Sequence, residues 1–511
     1  MSHPNPAGSR AGSPRGRIPA WLVALLCVMA FAFQGTRAIW EPDEGRYSSG
    51  GTHMLASGDW LVPTVDGEQP HLTKPPLTYW ALAASFAVFG HNEWAARLPN
   101  ALAYIGTGLF VFGLGRRLCP RRTWLPAVVW GLSFGPLIAA NIVSTDTLLA
   151  LFETAAMYAF VEAWSRTGPA ARPGYRLMWL GWGLAFMTKG PPGLLPLLAM
   201  TACLAVHERA RLRDMYGPAG LLVFGAVAFT WFGIVIAQEP ARLGYFVGYE
   251  VYDRVFTALQ DRHAQWYGGF EVYVPVLLVG MLPWAVFALL ASGGVRPGWH
   301  RLRARLAARD RDWLLLLWWL LLPLTIFFLA RSRLHLYILP LLVPLALMLA
   351  RPLASWPGMD GRAGLVKIAL TAVVLLLLKG TLAYWPSDRD SRALARSLQL
   401  QAGTLAVDEF IFVNMRPLYG LNVYLPQRVD GLELDTRRYD YSTHVTRQTL
   451  CADLESRPPT VFILKAAHLP AFADALDGCG RVPHRLGSVH ADGNDLVLSQ
   501  VRPAAAGDES R

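Results

Sequence analysis

The stretch AWLVALLCVMAFAFQGTRAIWEPDEGRY, residues 20–47, joins an apolar run to a charged cluster without a polar linker. The first half reads as a membrane span near 19–36, and the second leaves the bilayer carrying Glu41, Asp43, Glu44 and Arg46. Ionisable residues at the edge of a span are costly and are retained for pairing or chemistry. A second cluster, Leu72-Thr73-Lys74-Pro75-Pro76-Leu77, follows in the same loop. An acid pair and a lysine in one membrane-proximal loop suit both ends of a transfer reaction. A carboxylate takes a proton from a nucleophile, and an ammonium holds a phosphate leaving group.

The rest of the 511 residues extends this pattern. Apolar residues make up 53% and charged residues 16%, with 19 Trp, the composition of a polytopic membrane protein. Further apolar runs lie near 98–115, 124–141, 147–164, 177–188, 191–206, 218–237, 270–291, 313–330, 334–350 and 363–385. These amount to about eleven to thirteen transmembrane helices. Pro76–Gly90 is short and opens with Pro-Pro, so it reads as a helix lying in, or re-entering, the interface. Residues 1–17, rich in Pro, Gly, Ser and Arg, read as a disordered N-terminus with no cleavable signal. Residues 18–385 form the membrane domain, with an outer loop at 37–97.

A net charge of +11 would suggest nucleic acid in a soluble protein. Here the arginines occupy short loops, which is the positive-inside pattern, and no nucleic-acid partner is implied. Arg116, Arg117, Arg121, Arg122, Arg166, Arg172, Arg176, Arg209, Arg211, Arg213, the run Arg296–Arg311, Arg351 and Arg362 fall on the side of the N-terminus. That side is expected to be cytoplasmic. The opposite face holds the loop 37–97, Asp146, Lys189, the loop 238–269, Arg331–His335 and the tail.

The tail, 386–511, reads as a small α/β domain. Strands are expected at Thr404–Val407, Thr460–Leu464 and Asp495–Val501, with a helix at Leu469–Leu476. Cys451 and Cys479, its two cysteines, are expected to form a disulfide in an oxidising compartment. Cys27, Cys119 and Cys203, in or beside spans, read as inert.

Each polar group of the outer face, taken singly, is an ordinary loop charge. Together Asp43, Glu44, Arg46, Lys74, Asp146, Lys189 and Arg254 make a phosphate-and-acid site. The strings Asp43-Glu44-Gly45-Arg46-Tyr47, Ser57-Gly58-Asp59-Trp60-Leu61-Val62-Pro63, Lys74-Pro75-Pro76-Leu77-Thr78-Tyr79-Trp80 and Ala95-Ala96-Arg97-Leu98-Pro99 occur in that order. With Asp146, Thr188-Lys189-Gly190-Pro191 and Leu336-Tyr337-Ile338-Leu339-Pro340-Leu341, they resemble the bacterial aminoarabinose transferase (ArnT-like) and protein O-mannosyltransferase family over about residues 20–350.

That resemblance implies an all-α, GT-C-like membrane glycosyltransferase with a small C-terminal α/β periplasmic domain. It implies a sugar donor on undecaprenyl or another polyprenyl phosphate, and a lipid A, glycan or protein acceptor. By the same resemblance Asp43, with Glu44 beside it, and Asp146 are catalytic acids, and Arg46, Lys74, Lys189 and Arg254 hold the lipid phosphate. Many aminoarabinose transferases carry a metal-ligating Glu immediately before Lys-Pro-Pro. Here that residue is Thr73, which counts against a divalent metal without excluding one, and no metal ligand is assigned. His263, beside Trp266 and Tyr267, reads as interfacial rather than as a ligand.

The residues themselves agree with an enzyme that needs no nucleotide, because no phosphate loop or dinucleotide fingerprint is present. For an acceptor hydroxyl, Asp43 is a base. For an acceptor phosphate, Asp43 positions or stabilises charge. A transporter or flippase for a lipid-linked sugar is the alternative, but it would show repeated halves and midplane charges. A silent assembly partner would not need Asp43 and Lys74.

Overall fold

A computed structural model describes residues 17–67, 69–248, 262–403, 405–434 and 443–504. All eleven apolar runs fold as helices. In chain order the first are α1 (Ala20–Phe31), α2 (Asp43–Ser57), α3 (Leu77–Phe89), α4 (Glu93–Leu118), α5 (Leu125–Gly131), α6 (Phe134–Ala139), α7 (Thr145–Trp164), α8 (Arg172–Lys189), α9 (Leu195–His207), α10 (Ala210–Met215) and α11 (Pro218–Gln238). Helices Gly268–Val279, Trp284–Ala291, Val295–Ala307, Arg311–Leu329, Leu342–Leu353 and Gly361–Tyr384 follow.

Local chemistry explains the ends. The Asn92 side chain accepts from the Ala95 amide at 2.9 Å to cap α4, with Glu93 in its first turn and Arg116 and Arg117 in its last, matching the helix dipole. Pro218 opens α11, where its missing amide costs nothing.

Among the described residues, five stretches are singly long and apolar enough to span: Glu93–Leu118, Pro218–Gln238, Arg311–Leu329, His335–Leu353 and Gly361–Tyr384. The other expected spans are shorter, more polar or broken. The run 124–141 breaks between α5 and α6 at Leu132 and Ser133. Trp284 Nε1 donates to the freed Leu132 carbonyl at 2.7 Å. The run 270–291 bends by 73° between Val279 and Trp284. The Gly135 amide donates to Gly280 O at 2.8 Å, so the two breaks face each other and satisfy one another inside the bundle.

The outer loop departs from expectation. Residues 43–57 read as loop because Ser-Ser-Gly-Gly is a poor helix former, yet they form α2. Tertiary contact overrides propensity. Gly50 and Gly51 let α3 close in, and a Cβ on Gly51 would meet Leu82 Cβ at 2.7 Å. The short interfacial helix expected from Pro76 is α3.

The tail folds on one six-stranded sheet of order β3-β2-β1-β4-β6-β5. These are β1 (Glu409–Val413), β2 (Arg428–Leu434), β3 (Thr443–Val445), β4 (Thr460–Lys465), β5 (Arg481–Ala491) and β6 (Asn494–Pro503). β1 to β4 run parallel, and β6 and β5 close the edge antiparallel. Apolar clusters cover both faces, as a parallel sheet requires. The strand expected at Thr404–Val407 is displaced. Residues 405–408 have no regular structure and Thr404 lies outside the described residues. The continuous buried run Glu409–Val413 takes the central position instead.

Cys451 and Cys479 are bonded, with Cα atoms 5.4 Å apart. Closing 28 residues stabilises the tail by about 3 kcal/mol in the chain-entropy picture. Cys451→Ser in the intact protein should therefore raise the rate of protease cleavage within the tail at least tenfold, leaving the membrane helices uncut. Unchanged cleavage would remove the bridge from the account of tail stability.

Candidate active site

The site is built around a carboxylate that does no visible chemistry. Glu44, in the first turn of α2, has a side chain 4% exposed. Arg37 Nη1 and Nη2 donate to it at 2.7 and 2.8 Å. Arg97 adds Nε at 3.2 Å and Nη2 at 3.0 Å. The Trp40 and Val143 amides complete the set at 2.9 and 3.0 Å. Burial pushes this carboxyl up, but the two guanidiniums overrule it and hold it at about 2. The remaining Arg97 donors bind the Gln34, Arg37 and Ala38 carbonyls at 3.1, 2.6 and 2.7 Å. One ion cluster therefore fixes the end of the first span, the start of α2 and the segment before α7.

Neighbours on a helix at i and i+1 do not face the same way, so α2 turns Asp43 outward as it turns Glu44 in. Asp43 is 51% exposed and bonded to Arg46 Nη2 at 2.6 Å, one turn on. The Arg46 guanidinium lies 5.3 Å from the ring centre of Tyr47. Tyr47 is buried, and burial raises its phenol. Arg46 and Lys189 act against that shift, and Asp43 and Asp146 act with it. All four groups are thus within electrostatic range of Tyr47.

Asp146 and Lys189 arrive by a helical hairpin. The Ser144 side chain caps α7, setting Asp146 in the first turn. α8 runs back antiparallel and ends at Lys189, where Gly190 at φ 73° and Pro191 stop it. Lys189 Nζ is ion-paired with Asp146, and both side chains are under 10% exposed. Nζ also sits 4.0 Å from the ring centre of Tyr337. The sequence assigned these two residues separate roles, as an acid and a phosphate ligand, and the structure makes them one buried pair.

Lys74 stands just before α3, its ammonium donating to the Thr73 carbonyl at 2.8 Å. No direct contact joins it to Asp43 or Asp146. Arg254 lies outside the described residues. Arg333 is a clamp, donating to the Gln265 and Phe328 carbonyls at 2.8 and 2.9 Å. His263 Nδ1 is 3.5 Å from Glu271, and its ring packs edge-on to His335. Thr73 precedes Lys74 in the chain. Its hydroxyl is 2.9 Å from Nε2 of buried His71. Among the described residues, no three His, Cys, Asp or Glu converge as a metal would need.

Sequence reasoning missed Arg37, Arg97, Tyr47 and Tyr337, and it missed Glu41. Arg97 was legible as a charge buried in an apolar helix, a signal left unused. Glu41 is buried, and burial pushes its carboxyl up to about 8 against hydrogen bonds from the Gly420 amide and the Ser391 hydroxyl. It seals the tail to the outer loop. Trp40 bridges Asp390, the Ile39 amide donates to the Tyr424 hydroxyl at 2.9 Å, and Asn422 donates to Ser49 at 2.7 Å.

Comparison with known proteins fits this geometry. The crystal structure of ArnT from Cupriavidus metallidurans bound to undecaprenyl phosphate superposes with a TM-score of 0.75, at 19% identity, over 96% of this chain and 99% of that one. The architecture is therefore that of a GT-C membrane protein. Residues 73–233 match the family described as dolichyl-phosphate-mannose-protein mannosyltransferase. An undecaprenyl phosphate-alpha-4-amino-4-deoxy-L-arabinose arabinosyl transferase of Edwardsiella ictaluri is 33% identical over 67% of this chain. A transferase of the same name from Aeromonas hydrophila is 30% identical over 72% of this chain and 67% of its own length. The chain belongs to this ArnT-like family of GT-C glycosyltransferases. It spans 62% of the length of the Edwardsiella relative.

Glu44→Gln keeps the shape and leaves two buried guanidiniums unbalanced, a loss of about 3–5 kcal/mol. The expected result is poor yield and a lower melting temperature in detergent. Because the folded carboxyl titrates below its usual 4.5, its contribution is complete above that pH and fades as pH falls toward 2. A variant melting like the parent at pH 7 would show that the cluster carries no stability.

Proposed function

We propose that this protein is an integral inner-membrane glycosyltransferase. In this reading it moves a sugar, 4-amino-4-deoxy-L-arabinose by analogy with its relatives, from undecaprenyl phosphate to an envelope acceptor such as lipid A. The observation that carries the reading is that the Asp43–Arg46 pair on α2 and the buried Asp146–Lys189 pair both act electrostatically on Tyr47, at one end of the bundle. Transfer from a lipid phosphate needs charge neutralised on the leaving group and a carboxylate near the attacking oxygen. Arg46 and Lys189 supply the first, with Lys74 at the margin, and exposed Asp43 supplies the second. If the acceptor oxygen belongs to a phosphate, Asp43 orients it rather than taking a proton. Asp146 holds the Lys189 ammonium in place. Glu44, its acceptor positions filled by two arginines and two amides, positions the helix and takes no part in proton transfer.

Asp43→Asn should fold normally, with an unchanged melting temperature, and transfer should fall by about 10² or more. Mass spectrometry of lipid A and envelope glycans from cells carrying only the variant reads this out. A modified-lipid level equal to wild type would remove Asp43 from the chemistry.

The orientation belongs to the same proposal. The tail is bonded to residues 39–49, so it shares a side with Asp43. The arginine-rich loops lie at the other end, which favours a cytoplasmic N-terminus and a periplasmic tail. Alkaline phosphatase fused after residue 511 should be active, and a cytoplasm-dependent fluorescent reporter at the same point dark. The opposite pattern would invert the topology.

A further inference from the structure

At the far end of α8 from Lys189 lies a cavity of about 390 Å³, walled by the first turns of α8, the end of α10 and the first turn of α11. Seventeen residues of helix separate Arg172 from Lys189, so the cavity is about 26 Å from the catalytic pair, on the opposite side of the membrane. Arg172, Arg176 and Arg213 line it, with Asp214 as the one carboxylate. Arg172 and Arg176 are four apart and share a face of α8.

The convergence of three arginines on one hollow sets the cavity apart from an ordinary positive-inside loop. At the same end of the bundle Arg117 is bound to Glu162 at 2.8 Å, Arg311 to Glu208 at 2.7 Å and Arg351 to Asp312 at 3.3 Å, while Arg122 pairs with Asp360. Arg172, Arg176 and Arg213 have no hydrogen-bond or ion-pair partner among the described residues. The Tyr175 hydroxyl, on a residue 3% exposed and on the same wall, also has none. Trp179 Nε1 donates to Met215 O at 2.8 Å and braces α8 against α10, so the walls are tied together.

Three fork-shaped cations around one hollow suit the oxygens of a phosphate group. The bilayer side argues for a lipid rather than a free ion. Exposed Leu177, Leu221 and Leu222 continue from the rim along α8 and α11, giving acyl chains an apolar track. We propose that this cavity binds the headgroup of an anionic phospholipid of the leaflet opposite the catalytic site, through Arg172, Arg176 and Arg213. The site is separate from the transfer reaction and does not depend on that assignment.

The test uses the full-length protein in detergent, with native mass spectrometry after addition of phosphatidylglycerol or phosphatidylcholine. Phosphatidylglycerol should be retained, and phosphatidylcholine should not. Replacing Arg172, Arg176 and Arg213 together by Gln should weaken retention at least tenfold, whereas Lys at all three should recover part of it. Millimolar inorganic phosphate should leave the bound lipid in place. Equal retention by the Gln variant, or displacement by phosphate alone, would overturn the lipid site. Should the Gln variant fold poorly, a photoactivatable phosphatidylglycerol on the wild-type protein decides the matter. Cross-links are expected within residues 168–222, and cross-links confined elsewhere would refute the proposal.

Discussion

The buried pairing of Glu44 with Arg37 and Arg97 is the constraint from which the outer-loop end of the molecule is built. A carboxylate and two guanidiniums out of water are expensive unless every donor and acceptor is matched. Here they are matched, and the matching partners are backbone groups of segments that must be brought together. Arg97 binds three carbonyls at the end of the first span, and the Val143 amide ties in the approach to α7. Asp43 itself needs no such support. Its neighbour supplies rigidity, so the Asp43 carboxylate stays half exposed.

How much of this could be read in advance differs by residue. The spans were legible because bilayer thickness imposes length and apolarity on them directly. The tail strands at Thr460 and Asp495, its helix at Leu469 and its disulfide were legible for the same kind of reason, since local pattern and compartment decide them. α2 was not legible. Its glycines and serines speak for a loop, and only α3 packed against Gly50 and Gly51 makes a helix of it. The Asp146–Lys189 pair was half legible. Each residue stood out as a charge at a helix end, but nothing in a linear chain announces that two helix ends meet. Glu41 and Glu44 illustrate the limit most clearly. They are the same residue type, three apart, and their carboxyls sit at about 8 and about 2. Environment alone separates them.

The broken helices follow a related logic. Interruptions in a membrane bundle free backbone groups that lipid cannot satisfy. The chain places two interruptions opposite each other, pairing the Gly135 amide with the Gly280 carbonyl, and turns the Trp284 indole toward a third freed group, the Leu132 carbonyl. The irregular segments sit inside the bundle, where such pairing is possible. The intact helix Gly361–Tyr384 presents a largely lipid-facing surface instead.

The junction at Glu41 also has a meaning in time. Its partners Ser391 and Gly420 lie 350 and 379 residues further along the chain, and Tyr424 lies 385 beyond Ile39. The loop that carries Asp43 is made some 350 residues before the groups that fasten it. Until then the loop lacks the strand bridge at Asp390 and the cap of the tail. While the intervening residues are made the acid loop stands incomplete, and a product truncated before Ser391 never acquires the finished one.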